Sequence, residues 1–195
     1  QTVVAGSYLR LIRIIGIVIA FFSIPLWYAL TDYNLPNILK PFIPSSHNHN
    51  ILFLQLITVL IGIELIRMAS IHTPSALSTS MGLVSGLIIG DVAIKVGLFT
   101  EQIVILAAIS AIGSYITPSY ELSLANKMAN IFLLLSVYFF KMPGFICGTI
   151  LLIIYLACLK SFKRPYLYPL IPLNIKDLFK QLFRVPYKHK EKTKH

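Results

Sequence analysis

The sequence predicts an all-α protein, a polytopic helical bundle in a membrane. Three observations carry that reading. Only 12% of the 195 residues are charged, against about 25% in an ordinary soluble domain. The apolar set, counted with Tyr, reaches 56%, and it is gathered into runs long enough to cross a bilayer, which takes about 20 residues. The formal net charge of +10 sits mostly at one end: residues 160–195 hold ten Lys or Arg and two acids, whereas the first 159 hold seven and five. A soluble fold of this size cannot cover its surface with so few charges. Disorder is excluded because it needs low hydrophobicity. Residues 1–159 are therefore expected to form the bundle, and 160–195 a basic tail.

The first segment covers residues 11–30, uncharged after Arg13, with Pro25 as a kink and Trp27 and Tyr28 at the interface end. A polar loop follows, with the run SSHNHN. The second segment, 51–68, is interrupted late by Glu64 and Arg67, one turn apart and able to pair on one face. Pro74 stops the helix. The third segment, 81–98, and the fourth, from about 102 to 120, are joined by FTEQ, a link short enough for antiparallel neighbours. Pro118 ends the fourth. The fifth, 124–140, carries Lys127 near its start. KMPG then breaks the chain before a short sixth segment, 145–159. The count is six crossings, or four spans plus a re-entrant pair formed by the marginal second and third segments.

Orientation follows the basic residues. Arg10, Arg13, Arg67, Lys127 and the tail mark one side, expected to be cytoplasmic with both termini on it. Lys40, Lys141 and Lys95 mark the other. In the tail, Ile175, Leu178, Phe179, Leu182 and Phe183 recur at helical spacing, with Asn174 as cap and Lys176, Lys180 and Arg184 on the polar face. Helix 174–184 is thus expected to lie on the inner leaflet and to bind anionic lipid. Membrane lipid, not nucleic acid, is the partner that such a tail fits beside apolar segments. Cys147 and Cys158 are about 16 Å apart along one helix, too far for a disulfide within it.

Three constellations invite a functional reading. Ser78, Gly82, Gly86 and Gly90 line one helix face, which favours close helix packing inside the chain; packing between subunits, or a pore lining, is the sharper alternative. Asp91 and Lys95 follow at i,i+4 with the acid first. They either border an ion path or sit solvated at the headgroup level near the helix end. The break TPSYELSLANK holds Pro118, Tyr120 and Glu121, as a cavity-lining irregularity or an exposed loop with a helix cap. Enzyme signatures are absent: there is no HExxH, GxSxG, Walker loop or CxxC. His47 and His49 make a poor metal site alone. No catalytic role, metal or cofactor is expected.

Taken together, MGLVSGLIIGDVAIKVGLF (81–99), TPSYELSLANK (117–127) and LKSFKRPYLYPLIP (159–172) resemble, in order and spacing, the membrane region of the GerA-type spore germination proteins. Pro118, Tyr120, Leu122 and Ala125, then Ser161, Phe162, Pro165, Tyr166 and Pro169, stand at that family's marked positions. ELIRMASIHTPSALSTSMGLV (64–84) and FKMPGF (140–145) lean away from its nutrient-receptor A subunits, which usually carry Gln at the place of Asp91. The resemblance implies a multi-pass protein of the spore inner membrane that acts with other germination membrane proteins. It also implies a homo-oligomer of channel type that supports ion release, with a receptor A subunit or a non-conducting scaffold as alternatives. A cytoplasmic domain preceding the membrane region is expected from it, and the start at Gln1 reads accordingly as a fragment.

Overall fold

In the computed structural model, residues 3–32, 48–72, 75–161 and 164–165 are described. The chain divides into two compact units, 16–150 and the two chain ends, 1–15 with 151–195. Among the described residues, apart from one antiparallel pair of two-residue strands and short links, the structure is helical. The helices are α1 (Val3–Leu30), α2 (His49–His72), α3 (Ser75–Leu87), a π turn (Ile88–Val92), α4 (Ala93–Lys95), α5 (Glu101–Ile116) and α6 (Tyr120–Cys158); the strands are β1 (Lys160–Ser161) and β2 (Arg164–Pro165). Loop 33–47 and the predicted amphipathic helix 174–184, with Lys176, Lys180 and Arg184, lie outside the described residues.

Among the described residues, three helices are long and apolar enough to cross a membrane: Gly6–Leu30, His49–Ile71 and Tyr120–Cys158, with mean hydropathies of 2.1, 2.1 and 1.9. Helix α5 is apolar but shorter. Helix α1 starts well before the segment read from the sequence, because Arg10 and Arg13 are exposed and cost the helix nothing. Pro25 lies inside it without ending it.

Helix α6 is two helices joined by a reversal. Lys141 takes φ 56° and ψ −139°, which no helix accommodates. Past it, Gly144 reaches Ser136 and Phe140, and Gly148 reaches Leu133 and Ser136. Advancing along the second limb thus means retreating along the first, so residues 120–140 and 142–150 are antiparallel. This is the KMPG break expected from the sequence. Pro143 falls just past the reversal, where its missing N–H costs little.

Contacts elsewhere in the 16–150 unit fix the other directions. His49 stacks on Tyr138 while Arg67 bonds Ser123, so α2 runs antiparallel to the first limb of α6. Ser110 of α5 bonds the carbonyl of Ala20, and Gly113 lies against Gly16 and Ala20, so α5 runs antiparallel to α1. Ile24, Tyr28, Leu56, Leu60, Ile103, Leu134 and Val137 fill the common core.

The outside is apolar and part of the inside is polar. Leu54, Leu65, Leu83 and Phe139 are 61–70% exposed, whereas Ser110, Ser123, Lys127 and Asn130 are buried. Water would penalise such a surface; a lipid hydrocarbon does not. Helices with their backbone bonds satisfied internally are the form that lipid permits.

Candidate functional site

The glycine face does not do what its spacing suggests. Gly82, Gly86 and Gly90 border a groove of about 300 Å³, with Ile63, Ile66 and Ser70 of α2 and Ala107, Ala111 and Tyr115 of α5 opposite. A methyl group built on any of the three meets nothing within 4 Å. Close packing within the chain therefore fails here. The close crossings use other glycines: Gly113 against Gly16 and Ala20, and Gly144 against Ser136. Sequence spacing singled out a repeated stripe, while the tight contacts rest on isolated glycines whose neighbours come from distant segments.

The helix carrying that face changes pitch in its course. The five residues of the π turn, Ile88–Val92, contain Gly90 and Asp91. Such turns recur at functional positions. Asp91 and Lys95 form the expected pair, with Nζ 2.8 Å from Oδ2 and side chains 55% and 71% exposed. The helix ends there, and Gly97 takes a left-handed φ of 77°, which glycine tolerates without a Cβ clash.

A second site is built where α2, α5 and α6 meet. The guanidinium of Arg67 lies 5.6 Å from the Tyr115 ring centre and 5.2 Å from that of Tyr120. Its Nη1 donates to Ser123 Oγ, which donates to the Ser114 carbonyl at 3.3 Å. A planar cation between two rings is held by stacking and charge together. Ser119 Oγ accepts from the Leu122 N–H at 3.3 Å and caps the start of α6, so the break after Pro118 is a helix cap. Glu121 is exposed, as the loop reading expects.

Glu64 corrects the expected pairing. Both its carboxylate oxygens are buried and accept no hydrogen bond, so it is not hydrogen-bonded to Arg67, whose guanidinium turns to Ser123 and the tyrosines. In the sequence Lys127 marks only sidedness. It is 6% exposed and interacts electrostatically with Glu64 and Arg67. One turn on, Asn130 donates to the carbonyls of Ala20 and Phe21 at 3.0 and 2.9 Å. Its spacing from Ser123 and Lys127 puts all three on one face of α6, a signal present in the sequence but masked by the surrounding apolar residues. Buried polar groups at membrane depth are costly unless partnered, and they mark functional interiors. Among the described residues no group of three His, Cys, Asp or Glu is placed to hold a metal.

The polar site at Glu64 and the His49 end of α2 are about 22 Å apart along the helix. Between them the core side chains are mostly apolar, among them Leu52, Leu56 and Leu60, with the buried Oε1 of Gln55 as a polar exception. This architecture, polar at two levels and greasy between and outside, is that of a membrane bundle.

The model of the Bacillus/Clostridium GerA spore germination protein family matches residues 1–195. The chain belongs to the GerA spore germination family. It is 43% identical over 181 residues to stage V sporulation protein AF of Bacillus subtilis (strain 168), covering 92% of the chain and 37% of that protein. It is 31% identical over 194 residues to spore germination protein XA of Bacillus anthracis, covering 96% and 39%. Spore germination protein A1 of Bacillus subtilis (strain 168) is 27% identical over 195 residues, covering 97% and 40%. The chain thus spans under half the length of these relatives. No solved structure matches. The family resemblance read from the glycine-rich helix and the two Pro-Tyr motifs therefore holds.

Proposed function

We propose that this GerA-family membrane protein is an oligomeric, channel-type subunit that supports ion release during spore germination. The observation that carries the proposal is the uncovered glycine face. Three glycines border an unfilled groove, and on the same helix an exposed acid–base pair stands among exposed Leu83, Val84, Leu87 and Ile88. A charge pair is costly next to lipid and favourable next to water or protein. A second copy packed against this helix, with Asp91 and Lys95 turned to a hydrated path, satisfies both requirements. Six alternating crossings agree with the antiparallel relations of α1, α2, α5 and the two limbs of α6. On that topology both termini are cytoplasmic, in the spore inner membrane, with the basic tail on the inner leaflet.

Conductance of the full-length protein in planar bilayers tests the reading. Gly86→Leu would fill the groove and is expected to abolish the current while leaving the fold intact. Intact oligomers that pass no current would overturn it in favour of a non-conducting scaffold for other germination proteins. No catalytic chemistry is proposed.

A further inference from the structure

Pro25 sits in the interior of α1 with its side chain fully buried. A proline inside a helix removes the N–H that would bond the carbonyl four residues back, and its ring clashes with that carbonyl. Here the carbonyl belongs to Phe21. At membrane depth no water replaces the lost donor, so a neighbouring helix must supply one. Asn130 of α6, 1% exposed, does so: its Nδ2 donates to the Phe21 carbonyl at 2.9 Å and to the Ala20 carbonyl at 3.0 Å. With the amide turned round, its oxygen would meet two carbonyl oxygens, so these bonds fix its orientation. Asn130 Oδ1 is buried and has no hydrogen-bond partner among the described residues. An amide kept in place with one end unsatisfied, at a cost, is kept there by what its other end does.

We infer that Asn130 is a positioning residue: its amide stands in for the hydrogen bond that Pro25 removes, and so ties α1 at the proline to α6 and to the polar interior. The tie reaches further. Ser110 Oγ of α5 donates to the same Ala20 carbonyl at 3.2 Å. Ser114 Oγ donates to the Ser110 carbonyl at 2.9 Å. Ser123 Oγ donates to the Ser114 carbonyl at 3.3 Å and accepts from Arg67 Nη1. A continuous series of hydrogen bonds thus runs from the proline turn of α1, through α5, to the Arg67 site. Moving α1 away at this level breaks bonds to α5 and α6 together, and it leaves the Phe21 carbonyl without its replacement donor. The device lies within one copy of the chain and holds whether or not the protein conducts.

A double-mutant cycle on the full-length protein in detergent tests the inference. Asn130→Leu keeps the bulk of the side chain and removes the donor. It is expected to lower the thermal midpoint by about 3–6 °C. In a Pro25→Ala background, where the N–H of residue 25 serves the Phe21 carbonyl, it should cost less than half as much. Ser110→Ala, whose acceptor is the Ala20 carbonyl, should cost the same in both backgrounds. An undiminished loss from Asn130→Leu beside Pro25→Ala overturns the inference. So does an equal reduction for Ser110→Ala, which would mean that the whole junction had relaxed. If Asn130→Leu does not fold alone, Pro25→Ala should restore folding, and a double variant that stays unfolded is equally fatal.

Discussion

Gly144 rests directly on the backbone carbonyl of Ser136, across the reversal of α6 at Lys141. A methyl group at position 144 would overlap that oxygen and come within 2.8 Å of Phe140 Cβ. Neither the Ser136 backbone nor the Phe140 Cβ can swing aside as the tip of a long side chain can. Together with the approach of Gly148 to Leu133 and Ser136, this contact holds the two limbs of α6 together past the reversal at Lys141.

Gly144→Ala is therefore expected to destabilise the protein by about 1–3 kcal/mol, the range for overpacking. Gly113→Ala should behave similarly, since its methyl would come within 2.6 Å of Ala20 Cβ. Gly82→Ala and Gly86→Ala meet no neighbour in the chain and should leave monomer stability unchanged or slightly raised. Unfolding midpoints of the four variants in detergent check the contrast.

Arg67→Lys is not a conservative change. The ammonium of lysine cannot stack between Tyr115 and Tyr120 while bonding Ser123 as the planar guanidinium does. A loss of about 1–3 kcal/mol is expected, and Arg67→Met should lose no less. Urea or thermal unfolding in detergent measures both. An unaltered midpoint for Arg67→Lys would remove the cation–π account.

The two ends of the first limb of α6 should face opposite sides of the membrane. Glu121 is exposed at one end, and Lys141, with its side chain 64% exposed, is at the other. In a background with Cys147 and Cys158 replaced, Glu121→Cys is expected to react with an impermeant thiol reagent from the cytoplasmic side, and Lys141→Cys from the opposite side. Reaction of both from one side would instead make this hairpin re-entrant.

Much of the element order was legible along the chain. Apolar runs, Pro74, Pro118 and the KMPG break reflect local causes: backbone groups that lipid cannot satisfy, and prolines that cannot continue a helix. The helix cap after Pro118, which Ser119 supplies, and the i,i+4 pair of Asp91 with Lys95 are likewise local. Glu64 and Arg67 show where locality fails. One turn apart, they looked like partners, but Arg67 has Ser123 and two tyrosines within reach from other helices, and a guanidinium takes the planar, better-matched set.

What the sequence determined by itself was the helical membrane class, the family, and the places where the chain breaks, since each depends on composition or on neighbours within a turn. Only the tertiary structure decided which polar residues are inside. Lys127 and Asn130 look like ordinary members of a greasy segment, and their burial is set by which helices lie opposite. The same holds for the glycines. A missing side chain permits close approach, but whether another backbone arrives, as at Gly113 and Gly144, or a groove is left, as at Gly82 and Gly86, depends on the crossing of helices far apart in sequence.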